Sequence, residues 1–118
     1  RQVLSTRAIV VATGARPTVP PLPGLDAIEP LTSDNLWQLR TLPPRLLVLG
    51  GGPVGCELAQ AFARLGSQVT LVEQLPRLLA REEPAASDAV RAALEADGVA
   101  VRCGHRALRV EPDGGGHG

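Results

Sequence analysis

The chain has 118 residues, a length that suits one compact domain with a modest core. Its 12 basic residues balance its 12 acidic ones, so charge indicates neither nucleic acid nor an anionic membrane surface as a partner. No apolar run approaches the roughly 20 residues that cross a bilayer, and the amino terminus lacks the layout of a signal peptide, so we expect a cytoplasmic protein. The sequence has no methionine and enters a strand-like stretch without a leader, and we expect it to be a piece of something longer.

Two cysteines, Cys56 and Cys103, are present. They form no Cys-x-x-Cys pair, zinc set or disulfide framework, and we expect both to be small buried hydrophobic residues. A second interpretation applies to Cys56, which is placed at the start of a predicted helix. That position can lower the pKa of a thiol.

The first third of the chain predicts a strand, a proline-rich crossing and a short helix. Residues 8–12 are β-branched and apolar, and the prolines and glycine of residues 17–24 exclude regular helix and favour a linker. Ser33 is a candidate cap for a helix over residues 34–39. Trp37 in that helix could stack on a ligand, but its leucine neighbours favour a role as a packing anchor.

The middle of the chain alternates between strand and helix patterns. The predicted elements are a strand at 45–49, a helix at 53–65 ended by Gly66, a strand at 68–72, a helix at 85–96 and a strand at 99–103. The first strand is apolar enough to be covered on both faces. The inward-facing helix residues are predicted to be Val54, Leu58, Ala61, Phe62 and Leu65, then Ala89, Val90, Ala93 and Leu94. This alternation predicts a Rossmann-like α/β fold, a parallel sheet with flanking helices and right-handed crossovers.

The carboxyl-terminal stretch gives weaker signals. Residues 108–111 predict one short strand, and residues 113–118 predict a flexible glycine-rich end. His105 and His117 have no carboxylate or cysteine arranged around them in sequence, so we interpret them as solvated loop residues. Neither a catalytic nucleophile nor a metal site is predicted.

A glycine-rich turn follows the strand at 45–49, and it is the strongest functional signal. The pattern Gly50-x-Gly52-x-x-Gly55 stands between a strand and an amphipathic helix, the context in which it binds the pyrophosphate of a dinucleotide. Gly50 would permit the tight turn, Gly52 would let the backbone approach the phosphates, and Gly55 would let helix and strand pack closely. Backbone N–H groups of the turn, which also contains Gly51, Pro53 and Val54, would face the anion. The alternative is a glycine-rich turn of an unrelated α/β domain.

Glu73 ends the next strand and is placed to accept hydrogen bonds from the adenosine ribose. Its charge would repel a 2′-phosphate by up to about 4 kcal/mol at about 4 Å and an effective dielectric near 20, which favours NAD over NADP. Arg77 and Arg81 follow shortly afterwards and would suit a phosphate if Glu73 turned away, although a surface role is favoured. Glu57, expected on the first turn of the helix, fits either a dipole-complementing role or a ligand contact.

A family resemblance rests on motifs that occur in a familiar order. The chain resembles the pyridine nucleotide-disulfide oxidoreductases, and within them it is most similar to mercuric reductase and dihydrolipoamide dehydrogenase relatives. The resemblance covers about residues 5–110. The motifs are Ala12-Thr13-Gly14-Ala15-Arg16-Pro17, Pro23-Gly24, Ser33-Asp34, the run from Gly50 through Glu57 to Glu73, and Arg81-Glu82-Glu83-Pro84.

The resemblance implies an enzyme in which NAD(P)H passes hydride to FAD and the reduced flavin passes electrons to a cysteine pair. In such an enzyme Glu57 matches the glutamate that contacts the nicotinamide end, and Thr13 and Gly14 match the segment that leaves the FAD domain near the flavin. The chain would then be an incomplete fragment of a larger two-dinucleotide-fold enzyme. Its FAD motif, cysteine pair and dimerisation domain would lie elsewhere, the full-length enzyme would be a homodimer, and the fragment alone would be inactive.

These expectations divide the chain into three parts. Residues 1–30 form a strand and proline-rich linker from the FAD domain, residues 31–112 form the NAD-binding domain, and residues 113–118 form the flexible end. Two other functions fit the same motifs. One is a stand-alone nucleotide-binding or sensing module, and the other is an interaction domain that kept the fold and lost the ligand.

Overall fold

The computed structural model describes residue 2 and residues 7–111. Three parallel strands form one sheet, in which they lie in the order in which they occur along the chain. This arrangement confirms the Rossmann-like α/β fold predicted from the alternation of elements. The elements are β1 (Arg45–Leu49), α1 (Pro53–Leu65), β2 (Gln68–Glu73), α2 (Pro84–Ala96) and β3 (Ala100–Cys103).

The core lies between the sheet and the two helices. Val69 and Leu71 of β2 are 1% and 0% exposed, and they belong to one cluster with residues of both helices. Because side chains alternate along a strand, Glu73 projects from the same face of β2 as these two residues. The central strand therefore carries its carboxylate to the edge at which α1 begins.

Helix α1 packs on the sheet through small side chains. Cys56 and Ala59 are buried, whereas Val54 and Leu65 of the predicted inward face are 58% and 68% exposed, so that prediction is wrong in part. The reason is the close approach of helix and strand, since a Cβ added at Gly55 would collide with the carbonyl oxygen of Gly50. Small residues fit this interface, and a count of large apolar residues does not reveal it.

The inward face of α2 also differs from the prediction. Leu94 is buried and Val90 is half-buried, but Ala89 and Ala93 are exposed. Ser87, a polar residue that the hydrophobic pattern did not place on the inward face, is 2% exposed. Residues 87, 90 and 94 recur at three- and four-residue steps, so the serine lies on the helix stripe that faces the sheet.

Strand β1 is covered on one face in the part of the chain that the structure describes. Leu46 and Val48 pack against the core, but Leu47 and Leu49 on the opposite face are 59% and 39% exposed. The expectation of burial on both faces is therefore wrong here, because both helices pack on the same side of the sheet.

The two predicted peripheral strands are not formed. Residues 8–12 lie outside the sheet, and Ile9, Val10 and Val11 are 81%, 87% and 78% exposed. A β-branched run becomes a strand only where a neighbouring strand completes its hydrogen bonds, and the described sheet ends at β1 and β3. Residues 108–111 form no strand. Val110 N donates one backbone hydrogen bond, to Pro23 O at 2.8 Å. The predicted flexible end at 113–118 lies outside the described residues.

The helix expected at 34–39 is a short 3-10 helix, Leu36–Gln38, and Ser33 does not cap it. Asn35 precedes the helix, and its Oδ1 accepts a hydrogen bond from Thr32 N at 2.7 Å. Trp37 is 71% exposed, and its indole Nε1 donates to Ser33 O at 2.7 Å. Leu36, at 8% exposure, is the packing anchor instead, because neighbouring residues of so short a helix point in different directions.

We expect Leu71→Ala to lower the free energy of unfolding by about 2–5 kcal/mol, because it removes a fully buried side chain and leaves a cavity. Leu65→Ala makes the same chemical change at an exposed helix position and should cost less than about 1 kcal/mol. Urea unfolding followed by circular dichroism measures both. Equal losses in the two variants would contradict the placement of the core.

Candidate functional site

The glycine turn joins the end of β1 to the start of α1 and is registered on β2. Gly50 has a φ of 105°, a left-handed conformation that favours glycine. Its N–H donates to Val72 O at 2.9 Å, which continues the β1–β2 ladder by one more bond. This hydrogen bond therefore fixes the position of the start of the turn relative to the end of β2.

The peptide groups of Gly51 are held on both sides. Its N–H donates to Glu73 Oε2 at 2.7 Å, and its carbonyl oxygen accepts from Leu79 N at 2.8 Å. The Cys56 thiol lies 3.5 Å from the same carbonyl oxygen. Gly51 is itself buried, and a Cβ there would meet Leu78 Cδ2 at 2.5 Å and Glu73 Cβ at 3.1 Å. A larger residue at this position would make the buried Leu78 side chain and Glu73 shift, and the two hydrogen bonds fix the orientation of the peptides.

The start of α1 offers open backbone donors. Gly52 is the N-cap residue, no side chain caps the helix, and Pro53 occupies the first turn. A helix leaves the N–H groups of its first turn without intrahelical partners, which here include those of Val54 and Gly55. A Cβ built at Gly52 meets nothing within 4 Å among the described residues, so the turn is open on the side to which a Gly52 side chain would project. Such a terminus suits an anion.

The Glu73 carboxylate is bound to backbone on both oxygens. In addition to the bond from Gly51, Oε1 accepts from Leu75 N at 2.7 Å. Bonds to an ionised acceptor are the stronger class, so this carboxylate ties the turn to the segment after β2. A carboxylate has about four acceptor positions, and the two that remain can receive hydroxyl donors of a ligand.

The two arginines that follow Glu73 differ in their surroundings. Arg77 Nη2 donates to Ala80 O at 3.2 Å and to Glu82 O at 3.3 Å, so this guanidinium is folded back on its own loop. Arg81 is exposed. The structure therefore gives Arg77 a local role, in line with the surface interpretation.

A cleft of about 320 Å³ opens between α1 and α2 beside the turn. Its lining includes Cys56, Glu57 and Gln60 from α1 and Leu79 and Glu82 from the loop before α2. Glu57 is exposed, and within the described residues its carboxylate forms no hydrogen bond. Its predicted position in the first helical turn is wrong, because α1 begins at Pro53 and its first turn has no acidic residue.

Cys56 is buried at 5% exposure, while Cys103 is half-buried. Burial raises the pKa of the Cys56 thiol above its usual value, and interactions with Cys103, Glu73 and Glu57 raise it further. The expected burial of Cys56 is therefore confirmed, and the second interpretation, a lowered pKa, is wrong. The thiol points to the Gly51 carbonyl and the core rather than to free helix donors, and its acidic neighbours oppose ionisation.

Several residues singled out in the sequence do not join the turn. Thr13 and Gly14 are exposed in the segment before the prolines, and no hydrogen bond of the turn involves them. His105 is an exposed loop residue as predicted. Its backbone N–H donates to the backbone carbonyl oxygen of Glu73 at 3.1 Å. In the described ranges, no group of histidine, cysteine and acidic side chains is arranged to hold a metal ion. No helix there is long and apolar enough to span a bilayer.

Sequence reasoning missed three residues that contact or support the turn: Leu78, Leu79 and Ser87. Leu78 and Leu79 lie in a loop whose conformation has no local signature, so nothing in the pattern pointed to them. Ser87 had one available signal, since it falls in register with Val90 and Leu94 on α2. Its hydroxyl donates to Leu78 O at 2.6 Å.

Sheet, helices and turn together define a Rossmann-like α/β domain, and comparison with known proteins places it in a family. The family model of the pyridine nucleotide-disulphide oxidoreductases matches residues 1–117. The chain is 42% identical over 111 residues to a mercuric reductase of Bacillus cereus, covering 94% of this chain and 18% of that protein. It is 40% identical over 105 residues to a dihydrolipoyl dehydrogenase of Chlorobaculum tepidum, covering 87% of this chain and 22% of that protein.

A solved structure shares the fold. The HOCl-induced flavoprotein disulfide reductase RclA from Escherichia coli superposes with a TM-score of 0.75 and 37% identity, covering 83% of this chain and 23% of the reductase. The chain belongs to the pyridine nucleotide-disulphide oxidoreductase family. It spans about a fifth of the length of the relatives that it matches.

We expect Cys56 to react with iodoacetamide more slowly than Cys103 at pH 8, because burial holds it in the thiol form and restricts access. The rate for Cys56, measured by mass spectrometry in Cys103→Ala, should still be rising at a pH where that of an ordinary exposed thiol has levelled. The sign follows from the raised pKa, since the reactive thiolate then forms only at higher pH. Faster labelling of Cys56 than of Cys103 at pH 8 would contradict its placement.

Proposed function

We propose that this chain is the NAD(H)-binding domain of an FAD-dependent pyridine nucleotide-disulphide oxidoreductase. In the whole protein it would hold NAD(P)H so that hydride passes from the nicotinamide to the flavin. The observation that carries the proposal is the turn at Gly51, where a carboxylate of β2 and an uncapped helix start lie side by side. An anion seat next to an acceptor for hydroxyl groups is what a dinucleotide requires.

The pyrophosphate would lie against the start of α1. The open space at Gly52 leaves room for phosphate oxygens, and the first-turn N–H groups would donate to them. Pro53 removes one donor without loss of a helical bond, because first-turn N–H groups have no partner within the helix. Gly50, Gly51 and Gly55 would give the turn its shape, and backbone N–H groups of the turn would form the hydrogen bonds to the pyrophosphate.

The adenosine ribose would be held by Glu73. Its free acceptor positions would receive the two ribose hydroxyls while its present bonds keep the carboxylate fixed. A 2′-phosphate at the same place would meet this negative charge, and Arg77 is already bonded to loop carbonyls. These two features support NAD over NADP, with Arg81 as the cation still available for a phosphate.

Roles for Glu57, Thr13 and Gly14 rest on the family resemblance. Glu57, which is exposed on α1, would contact the nicotinamide end of the cofactor. Thr13 and Gly14 would lie near the flavin of the FAD domain. The same resemblance supports a homodimeric whole protein that binds FAD and passes electrons to a cysteine pair, and in which this chain binds and orients one cofactor.

We expect Gly52→Ala to weaken NADH binding at least about tenfold, because its methyl group would occupy the phosphate space. The protein should remain folded, since a Cβ there meets nothing within 4 Å. Calorimetry with NADH and thermal unfolding measure the two effects. Gly55→Ala is the matched comparison and should lose stability by about 1–3 kcal/mol, because its Cβ collides with the turn. Unchanged NADH affinity in Gly52→Ala would refute the pyrophosphate seat.

We expect Glu73→Gln to change the ratio of the NADH and NADPH dissociation constants by about tenfold or more in favour of NADPH, because it removes the charge that repels the 2′-phosphate. The amide oxygen can still accept the bond from Gly51, whereas the amide nitrogen cannot accept the second bond, from Leu75 N. Glu95→Gln removes an equal charge at the far end of α2 and should leave the ratio unchanged. Tighter binding of NADPH than NADH by the unaltered protein would contradict the assignment of Glu73.

A further inference from the structure

The loop between β2 and α2 is fixed to the glycine turn by more than Glu73. Leu79 N donates to Gly51 O at 2.8 Å, and Leu78, which is 0% exposed, lies against Gly51. The loop thus supplies the partner for the Gly51 carbonyl while Glu73 supplies the partner for its N–H. Rotation of the peptide that follows Gly51 requires the Leu79 bond to break.

Leu79 adopts a strained conformation. Its φ of 48° makes it the one residue other than glycine with a positive φ in the described part of the chain. A side chain disfavours this region, so the loop keeps it only where surrounding contacts impose it. In this conformation Leu79 N donates to the Gly51 carbonyl, and Leu79 O accepts from Glu82 N at 2.8 Å.

Ser87 is the contact that holds the strained loop from behind. Its hydroxyl donates to Leu78 O at 2.6 Å, and the side chain is buried at 2% exposure on the first turn of α2. The acceptor belongs to the peptide group whose nitrogen is that of Leu79. One hydrogen bond from the serine therefore fixes the plane of the peptide whose N–H binds Gly51.

We propose that Ser87 is a positioning residue of the nucleotide site. It acts through Leu78 and Leu79 to keep the Gly51 carbonyl turned inward, away from the anion, so that the N–H groups at the start of α1 face the phosphates. Ser87 contacts no nucleotide itself. The effect on binding rests on the proposed function, whereas the effect on the loop does not.

The chain offers a matched control in Ser67. It is also buried, at 6% exposure, and its hydroxyl donates to the carbonyl of Pro43 at 2.6 Å. Ser67 lies immediately before β2, at the end of the sheet opposite Glu73. Loss of either hydroxyl removes the same kind of bond to a loop carbonyl, but only the Ser87 bond leads to the glycine turn.

The test compares Ser87→Ala with Ser67→Ala in calorimetry with NADH and in amide hydrogen exchange. Both variants should lose similar thermal stability. The NADH dissociation constant should rise about fivefold or more in Ser87→Ala, the ratio that one hydrogen bond of ordinary net strength provides, and stay within about twofold in Ser67→Ala. Exchange at Leu79 N should accelerate in Ser87→Ala alone. Ser87→Cys, which keeps the size and has a weaker donor, should fall between the native protein and Ser87→Ala.

The two readouts separate the two hypotheses. Equal exchange at Leu79 N in the serine variants would overturn the positioning role whether or not nucleotide binds. Faster exchange with an NADH affinity equal to that of Ser67→Ala would also overturn it, because the loop would then not set the site. Absence of NADH binding by the unaltered protein would instead refute the proposed function and leave the exchange result to decide the effect of Ser87 on the loop.

Discussion

The fixed orientation of the peptides at Gly51 is the constraint on which the rest of the site depends. Its N–H is bound by Glu73 and its carbonyl by Leu79, so β2 and the loop after it hold the turn from two sides. Backbone donors bind an anion strongly only when they are already aligned, because alignment on binding would cost conformational entropy. The sheet provides that alignment through the bond from Gly50 to Val72.

The packing of the domain follows from the same closeness. Helix α1 can pack close to the sheet because the residues that face the sheet, Gly55, Cys56 and Ala59, are small. Val54 and Leu65 consequently lie on other faces of the helix, while Phe62 packs against the core. The small size of Cys56 suits this interface, and its burial there raises the pKa of its thiol.

The chain belongs to the pyridine nucleotide-disulphide oxidoreductases and spans about a fifth of the length of its relatives. The exposed residues Leu47, Leu49 and Ile9 lie on surfaces that the described part of the chain leaves uncovered. A division of labour is consistent with the geometry. In the proposed function, the turn and Glu73 would bind the nucleotide, and α2 would support the turn through the hydrogen bond from Ser87 to Leu78 O.

The sequence by itself determined the alternating elements, the glycine turn and the carboxylate at the end of β2, because these follow from periodicity and from the backbone freedom of glycine. Its prediction of the inward helix faces was right for Phe62, Val90 and Leu94 and wrong for the exposed residues of both helices. It also predicted strands at 8–12 and 108–111 that are not formed. Burial and strand pairing depend on which surfaces meet, and local pattern carries no record of that. Only the tertiary structure brought Leu79 to Gly51 and Ser87 to the loop that contains Leu79. Hydrogen bonds between segments far apart in the chain arise from packing rather than from spacing.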